Sequence, residues 1–414
     1  MLPPLRTDLP MHRLLAPILL ALSVVAHAAQ TPPEPIARLR YLVDALEPGS
    51  LRDRLGACLA RPEGLLAKNA FSLGHRGAPF GLPEHSVEGY RAAAAQGAGL
   101  IECDATPTRD GVLVCRHAQC DLQSTTDILL TPLAARCREP FSAADPARGT
   151  PASARCCTSD LTLAEFRQLR ARHDRVDPGA RTLEAWLAPG AETRGTLITH
   201  AESIALFLSL GVDMVPELKD TDRGMTLPAG LDRPALARRF IGEYLEAGVA
   251  AERVTPQSFL PEDIVLWQRE FPAFGQRALW LDGRFELGGG FDHRKPETWQ
   301  PTMEELRAMG LRNLGPPMPV LLDLDPEGRI VPSAYAQAAR GAGLRLVAWS
   351  LERSGPLARG GGLYYASIRP AIRGDGDLLR VLDVLVKDAG IAAMFSDWPA
   401  TTTFYANCLG IRGG

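Results

Sequence analysis

The sequence predicts an α/β fold, a (β/α)8 barrel of the TIM type with a long cysteine-rich insertion after the second strand. Three observations predict it. Short apolar runs alternate with helical segments until eight candidate parallel strands have accumulated, at residues 71–74, 99–104, 212–218, 254–259, 277–281, 320–322, 345–349 and 393–396. Acidic residues recur at the C-terminal ends of several of these runs, the position at which barrels keep their chemistry. No G-x-G-x-x-G or Walker loop is present, which weighs against the open, doubly wound alternative. At 414 residues the chain suits one barrel with an insertion and a leader, and 46% hydrophobic with 22% charged residues is a globular balance. A net charge of -3 supplies no basic field, so neither nucleic acid nor an anionic membrane is an expected partner.

In chain order, Met11-His-Arg13 precedes an apolar run from Leu14 to Val25 and a small-x-small site at Ala26-His-Ala28, so residues 1–28 read as a signal peptide. The run is shorter than the roughly 20 residues a membrane span requires. An exported protein, periplasmic or secreted, is expected, without stable membrane insertion. Residues 29–69 read as a Pro-rich lead-in with helices at 36–46 and 51–60, and residues 70–405 as the barrel. Phe71–Gly74 ends at His75-Arg76-Gly77, where glycine permits a sharp turn. Ser86 caps a helix of good helix formers that Gly97 ends. Thr108-Arg-Asp-Gly is a hairpin turn delivering the strand-like run Val112 to His117. From 118 to about 180 the rhythm is lost in Ser, Thr, Pro and Cys, and a loop that long beside His117 is expected to cover the site mouth. Its one regular piece is a capping box at Thr162 and Glu165. Helices at 200–210, 233–247 and 261–269 then resume the alternation.

Eight cysteines in an exported chain read as disulfides. Cys120, Cys137, Cys156 and Cys157 fall in the irregular segment, where at least one cross-link is expected; Cys58, Cys103, Cys115 and Cys408 remain, and spacing leaves the connectivity open. A zinc site competes poorly, because no C-x-x-C pair occurs.

The chemistry concentrates in residues 73–127. Side chains alternate across a strand, so Glu102 and Asp104 must project from one face, where two carboxylates repel unless a cation lies between them. With Glu217, in Val-Pro-Glu-Leu-Lys, they make an all-oxygen set that suits one hard divalent cation, Ca2+ or Mg2+.

His75-Arg-Gly, Pro83-Glu-His-Ser, Glu102-Cys-Asp, Thr108-Arg-Asp-Gly and His117, followed by Pro216-Glu-Leu-Lys219, Gln257-Ser-Phe, Trp349 and Phe395-Ser-Asp-Trp-Pro399, resemble the glycerophosphodiester phosphodiesterase family over roughly residues 70 to 400. Two positions depart from its pattern: His85 stands where the family usually has Asn, and Ala118 where it usually has Asp. The resemblance implies a metal-dependent barrel that hydrolyses small-molecule glycerophosphodiesters to an alcohol and glycerol phosphate. It implies His75 and His117 as paired general acid and base, and attack by a neighbouring glycerol hydroxyl to give a cyclic phosphate that water opens. Phosphodiester cleavage gathers negative charge on phosphoryl oxygens, which assigns Arg76 and Lys219 to those oxygens. Trp349 is placed against the glycerol carbons, and Glu84 against Arg76 or the metal shell. His85, His173, His200 and His293 read as structural. Two other classes stay open: a phospholipase-type enzyme on intact lipid, which would need an apolar lip at the mouth, and a non-catalytic phosphodiester-binding protein. The sequence fixes neither head group nor oligomeric state.

Overall fold

The computed structural model describes residues 35–413 apart from 62, 192, 223 and 229, and the expected signal peptide lies outside the described residues. Eight parallel strands follow one another around a ring: Asn69–Gly74, Ala98–Ile101 resuming at Asp104–Pro107, Asp213–Met214 resuming at Glu217–Leu218, Gln257–Ser258, Leu279–Leu281, Asn313–Gly315, Arg345–Ala348 and Ala393–Ser396. Each pairs with its successor, and the last pairs back onto the first with Ser72 opposite Met394 and Gly74 opposite Ser396. Closure leaves no strand edge unpaired.

Alternation along the strands separates two cores. Leu279, Leu281, Val347, Ala393 and Phe395 cluster inside the barrel. Their neighbours Trp280, Leu346 and Met394 join the larger core beneath the outer helices. Those helices begin where cap chemistry places them: Ser86 Oγ accepts from the Gly89 N–H at 3.0 Å to open Val87–Ala95, and Thr199 and Glu202 form a capping box ahead of His200–Leu210. The lead-in forms two helices, Pro35–Asp44 and Ser50–Leu59, and a Cys58–Cys408 disulfide ties the second to the last helix, Ala400–Leu409.

One expected strand is corrected. Residues 320–322 do not enter the barrel: Met318–Leu321 is a short helix, and Leu322–Leu324 pairs antiparallel with Ile330–Pro332. The sixth barrel strand is Asn313–Gly315, a weak apolar signal whose Asn313 amide donates to the Arg277 and Ala278 carbonyls. Pro319 lacks the N–H a central strand must donate, and the first turn of a helix accommodates it.

The segment between His117 and Thr199 is also more ordered than its composition suggests. It holds two short hairpins, Glu139–Ser142 with Ser153–Arg155 and Ala171–Arg172 with Arg194–Gly195. Ile128, Leu161, Phe166, Leu169 and Trp186 give it a separate apolar core. Cys120–Cys157 and Cys137–Cys156 cross-link it, Cys103–Cys115 joins the second barrel strand to the hairpin that follows, and no free cysteine remains. Closing such loops stabilises by about 3 kcal/mol each in the chain-entropy account. Peptide mapping without reductant should recover these four pairs, and eight free thiols in protein from its native compartment would contradict the arrangement.

Candidate active site

The register of the ring builds the site. Glu217 lies opposite Asp104 on one neighbouring strand and opposite Gln257 on the other. Glu102 occupies the break between the two segments of the second strand, its N–H donating to the Gly74 carbonyl at 3.1 Å. Consequently Glu102, Asp104 and Glu217 converge: one carboxylate oxygen of each lies within 4.8 Å of the others, and all three residues are buried. Around them His75, Arg76, His117, Lys219, Phe259, Leu281, Glu286, Trp349, Tyr364 and Phe395 line a cavity of about 290 Å³ at the C-terminal end of the strands. A larger cavity of about 780 Å³ opens at the opposite end of the barrel, but it brings no histidine, and its one acid, Asp213, is held by Arg253 at 2.9 Å.

The acids are electrostatically strained as they stand. Burial and the charges of Asp104 and Glu217 push the Glu102 carboxyl well above the usual carboxylate range. Burial likewise pushes Glu217 up to about 7, although Lys219 Nζ lies 2.6 Å from it. Asp104 is held low, because His85 and Lys219 more than offset its burial. The donor set fits a hard divalent cation: every group is an oxygen, and the buried Asp104 Oδ1 has no hydrogen-bond partner among the described residues. Both oxygens of Glu102 and Oδ2 of Asp104 are held in place by the protein, each with a second lone pair to offer. Glu102 accepts from the Arg76 N–H at 2.9 Å and from Gln257 Nε2 at 2.7 Å, and Asp104 Oδ2 lies 3.1 Å from His85 Nε2.

His75 follows the first strand, and its Nδ1 lies 2.5 Å from Asp397 Oδ1. Burial pushes the Asp397 carboxyl up, but Arg353 and His75 bring it down to about 2, so it is an acceptor only. Nδ1 therefore carries the proton, leaving the Nε2 lone pair directed toward Glu102, 3.9 Å away. Burial, partly offset by Asp397, also lowers the His75 pKa. His117 is lowered further by burial and by Arg76 and Lys219, and it has no hydrogen-bond partner among the described residues. Ala118, beside it, gives only its N–H, to Asp121.

Among the described residues, Arg76 and His85 are the two non-glycine residues with positive φ, 56° and 51°. Such a conformation costs roughly 1–2 kcal/mol per residue. Here it aims the Arg76 N–H at Glu102 and seats His85 between Asp104 and the Tyr90 hydroxyl at 2.9 Å. Glu84 does not line the cavity; it lies behind Arg76 Nη1 at 2.9 Å, where Arg76 and Arg353 overcome the effect of its burial and hold it well below the usual range. Lys219 sits over the Phe259 ring, 5.6 Å from its centroid. Trp349 donates its indole N–H to the Gly315 carbonyl at 2.7 Å and presents its ring to the cavity.

The sequence-assigned residues therefore gather in one place, Glu84 as a support and the others as lining. His85, read as structural, is buried with both ring nitrogens bonded, one of them to the candidate metal ligand Asp104. Asp397, Arg353 and Gln257 were given no role, although Asp397 and Gln257 lie in the quoted motifs. Arg353, 3.2 Å from Glu84, 3.1 Å from Asp174 and 3.5 Å from Asp397, had no motif to signal it. Asp174 is the point at which the inserted segment reaches this network. Among the described residues none of 118–199 lines the cavity.

A model of the Glycerophosphoryl diester phosphodiesterase family matches residues 75–400. A protein of Arthroderma benhamiae named "Extracellular protein" is 41% identical over 224 residues, 53% of this chain and 89% of its own length. The Arabidopsis thaliana "Glycerophosphodiester phosphodiesterase GDPD6" is 39% identical over 64 residues, 16% of this chain and 17% of its own. Among solved structures, a glycerophosphoryl diester phosphodiesterase of Silicibacter pomeroyi superimposes with a TM-score of 0.54 at 17% identity, covering 85% of this chain and 98% of that one, which speaks to the fold. Replacing Gln257 by Ala removes a donor that orients Glu102, and outer partners of this kind are typically worth 10- to 100-fold in metal affinity. Calorimetric titration with Mn2+ should show a loss in that range; unchanged affinity would remove Gln257 from the site.

Proposed function

This chain belongs to the glycerophosphoryl diester phosphodiesterase family and is a phosphoric diester hydrolase, and on that premise we propose that it hydrolyses glycerophosphodiesters by metal-dependent, paired-histidine catalysis. The carrying observation is the convergence of three carboxylates, two histidines and two cations in one buried cavity at the strand ends. Glu102, Asp104 and Glu217 would hold one Ca2+ or Mg2+, which supplies Lewis-acid polarisation of the phosphoryl group when bound. Arg76 and Lys219 face the same space and bind the remaining phosphoryl oxygens; a guanidinium and an ammonium there stabilise charge that grows on those oxygens as the bond breaks.

The two histidines divide the proton traffic. One takes the proton of the attacking hydroxyl, and the other returns one to the departing alcohol oxygen. Asp397 keeps His75 in the tautomer whose Nε2 can do this work. The lowered pKa values of both rings favour neutral imidazole in the resting site, which sets the proton acceptor and makes the protonated partner a stronger acid. Trp349 supplies an apolar wall to the substrate. A phospholipase-type action on intact lipid is less well supported: of the large exposed apolar side chains, Leu363 alone adjoins a cavity residue, Tyr364, so no lip surrounds the mouth among the described residues. Retention of both histidines and of the full acidic set weighs against a binding protein without turnover.

We also place the protein outside the cytoplasm, periplasmic or secreted. Four disulfides and a relative named "Extracellular protein" support this, and no described helix is long and apolar enough to cross a membrane.

Steady-state rates on glycerophosphocholine test the mechanism. His75→Ala and His117→Ala should each lower kcat by about 10²- to 10⁴-fold with substrate binding nearly intact, and the double variant should lose far less than the product of the two. A His117→Ala enzyme within a few-fold of wild type would contradict the pair. Exhaustive chelation should abolish turnover, with Ca2+ or Mg2+ restoring it; full activity after chelation would remove the metal from the mechanism.

A further inference from the structure

One wall of the cavity is aromatic. Phe259 and Tyr364 each stand nearly upright on Trp349, with centroids 5.9 Å from its own and interplanar angles of 86° and 73°. All three rings line the cavity, and Glu286, on the short helix Arg284–Leu287, lines it with them. Glu286 is exposed and makes no ion pair within 4.0 Å among the described residues, in a cavity whose cations are otherwise engaged: Lys219 by Glu217 at 2.6 Å and Arg76 by Glu84 at 2.9 Å. Partial desolvation at the cavity wall pushes its carboxyl up, while the charges of Lys219 and Arg76, which line the same cavity, pull it down.

From this wall we infer that the enzyme selects glycerophosphodiesters whose alcohol carries a quaternary or primary ammonium, with Glu286 and the Phe259, Trp349 and Tyr364 rings as the head-group site. The inference rests on the phosphodiesterase reading above. A neutral polyol in this corner would find only the Tyr364 hydroxyl and the Glu286 carboxylate as partners, because the Trp349 N–H is already spent on the Gly315 carbonyl and phenylalanine offers none. A quaternary ammonium needs no hydrogen bonds. It is attracted by ring faces, most strongly by tryptophan, and by an unpaired carboxylate. The ammonium of Lys219 over Phe259 shows that face accepting a cation within the same cavity, and its pairing with Glu217 limits its repulsion of a second one.

The test compares kcat/KM for glycerophosphocholine and glycerophosphoglycerol in wild type, Glu286→Gln and Tyr364→Leu, all with the full chain and saturating divalent cation. The wild-type ratio should favour the choline ester, and each substitution should reduce that ratio about tenfold, mainly through KM for the choline ester. Continued turnover of glycerophosphoglycerol reports that a variant is folded. A wild-type ratio near one, or a ratio that neither substitution moves, overturns the head-group site while leaving the phosphodiesterase reading standing. Failure of the wild type to turn over either ester overturns the underlying reading, and this inference with it.

Discussion

Three carboxylates confined within 4.8 Å of one another inside a closed barrel are the constraint on which the rest of the site depends. Two unit charges at such a separation repel by about 3 kcal/mol even at an effective dielectric near 20, and burial adds a desolvation cost to each. The chain meets that cost from several directions. Lys219 lies against Glu217, the Arg76 N–H and Gln257 each donate to one oxygen of Glu102, and His85 covers one oxygen of Asp104. What these contacts leave over is one oxygen of each acid close to the others, with Asp104 Oδ1 lacking a partner among the described residues, and a cation there would offset the charge.

Supports further out keep these groups from relaxing apart. Arg353 joins Asp397, which orients His75, to Glu84, which holds Arg76, and to Asp174 of the inserted segment. A half-buried cation with three acidic partners is a case where removing one partner leaves charge less well compensated. The Cys103–Cys115 disulfide acts on the backbone of the same region: Cys103 lies between two of the acids, and Cys115 lies two residues before His117. A covalent link at that point fixes the strand that carries the acids against the hairpin that carries the histidine. It also offers a physical reason why His117 keeps its place with Ala118 beside it.

Much of this was legible in the sequence because it is encoded locally. Alternation put Glu102 and Asp104 on one face, cap residues set the starts of several helices, and the turn at Thr108 to Gly111 formed the hairpin that leads to His117. What escaped the reading depends on distant neighbours. Asn313–Gly315 becomes a barrel strand through its pairing with Leu279–Leu281 and Arg345–Leu346, and its own three residues carry little apolar signal. The contact of His85 with Asp104 depends on a positive φ that turns its ring toward that carboxylate, which its sequence neighbourhood does not signal. Arg353 joins groups from residues 84, 174 and 397, and no window of sequence brings these together. The inserted segment looked irregular because its order comes from two disulfides and a small core of widely spaced side chains, among them Ile128, Phe166 and Trp186.

The central claim is that the acids are assembled around one cation, and crystals grown with Mn2+ test it most directly through anomalous scattering. The account predicts a single strong peak between Glu102, Asp104 and Glu217, at oxygen-ligand distances of about 2.0–2.6 Å. A catalytically active crystal form with no peak there, or with the ion bound elsewhere and the three carboxylates contacting only protein, would contradict it.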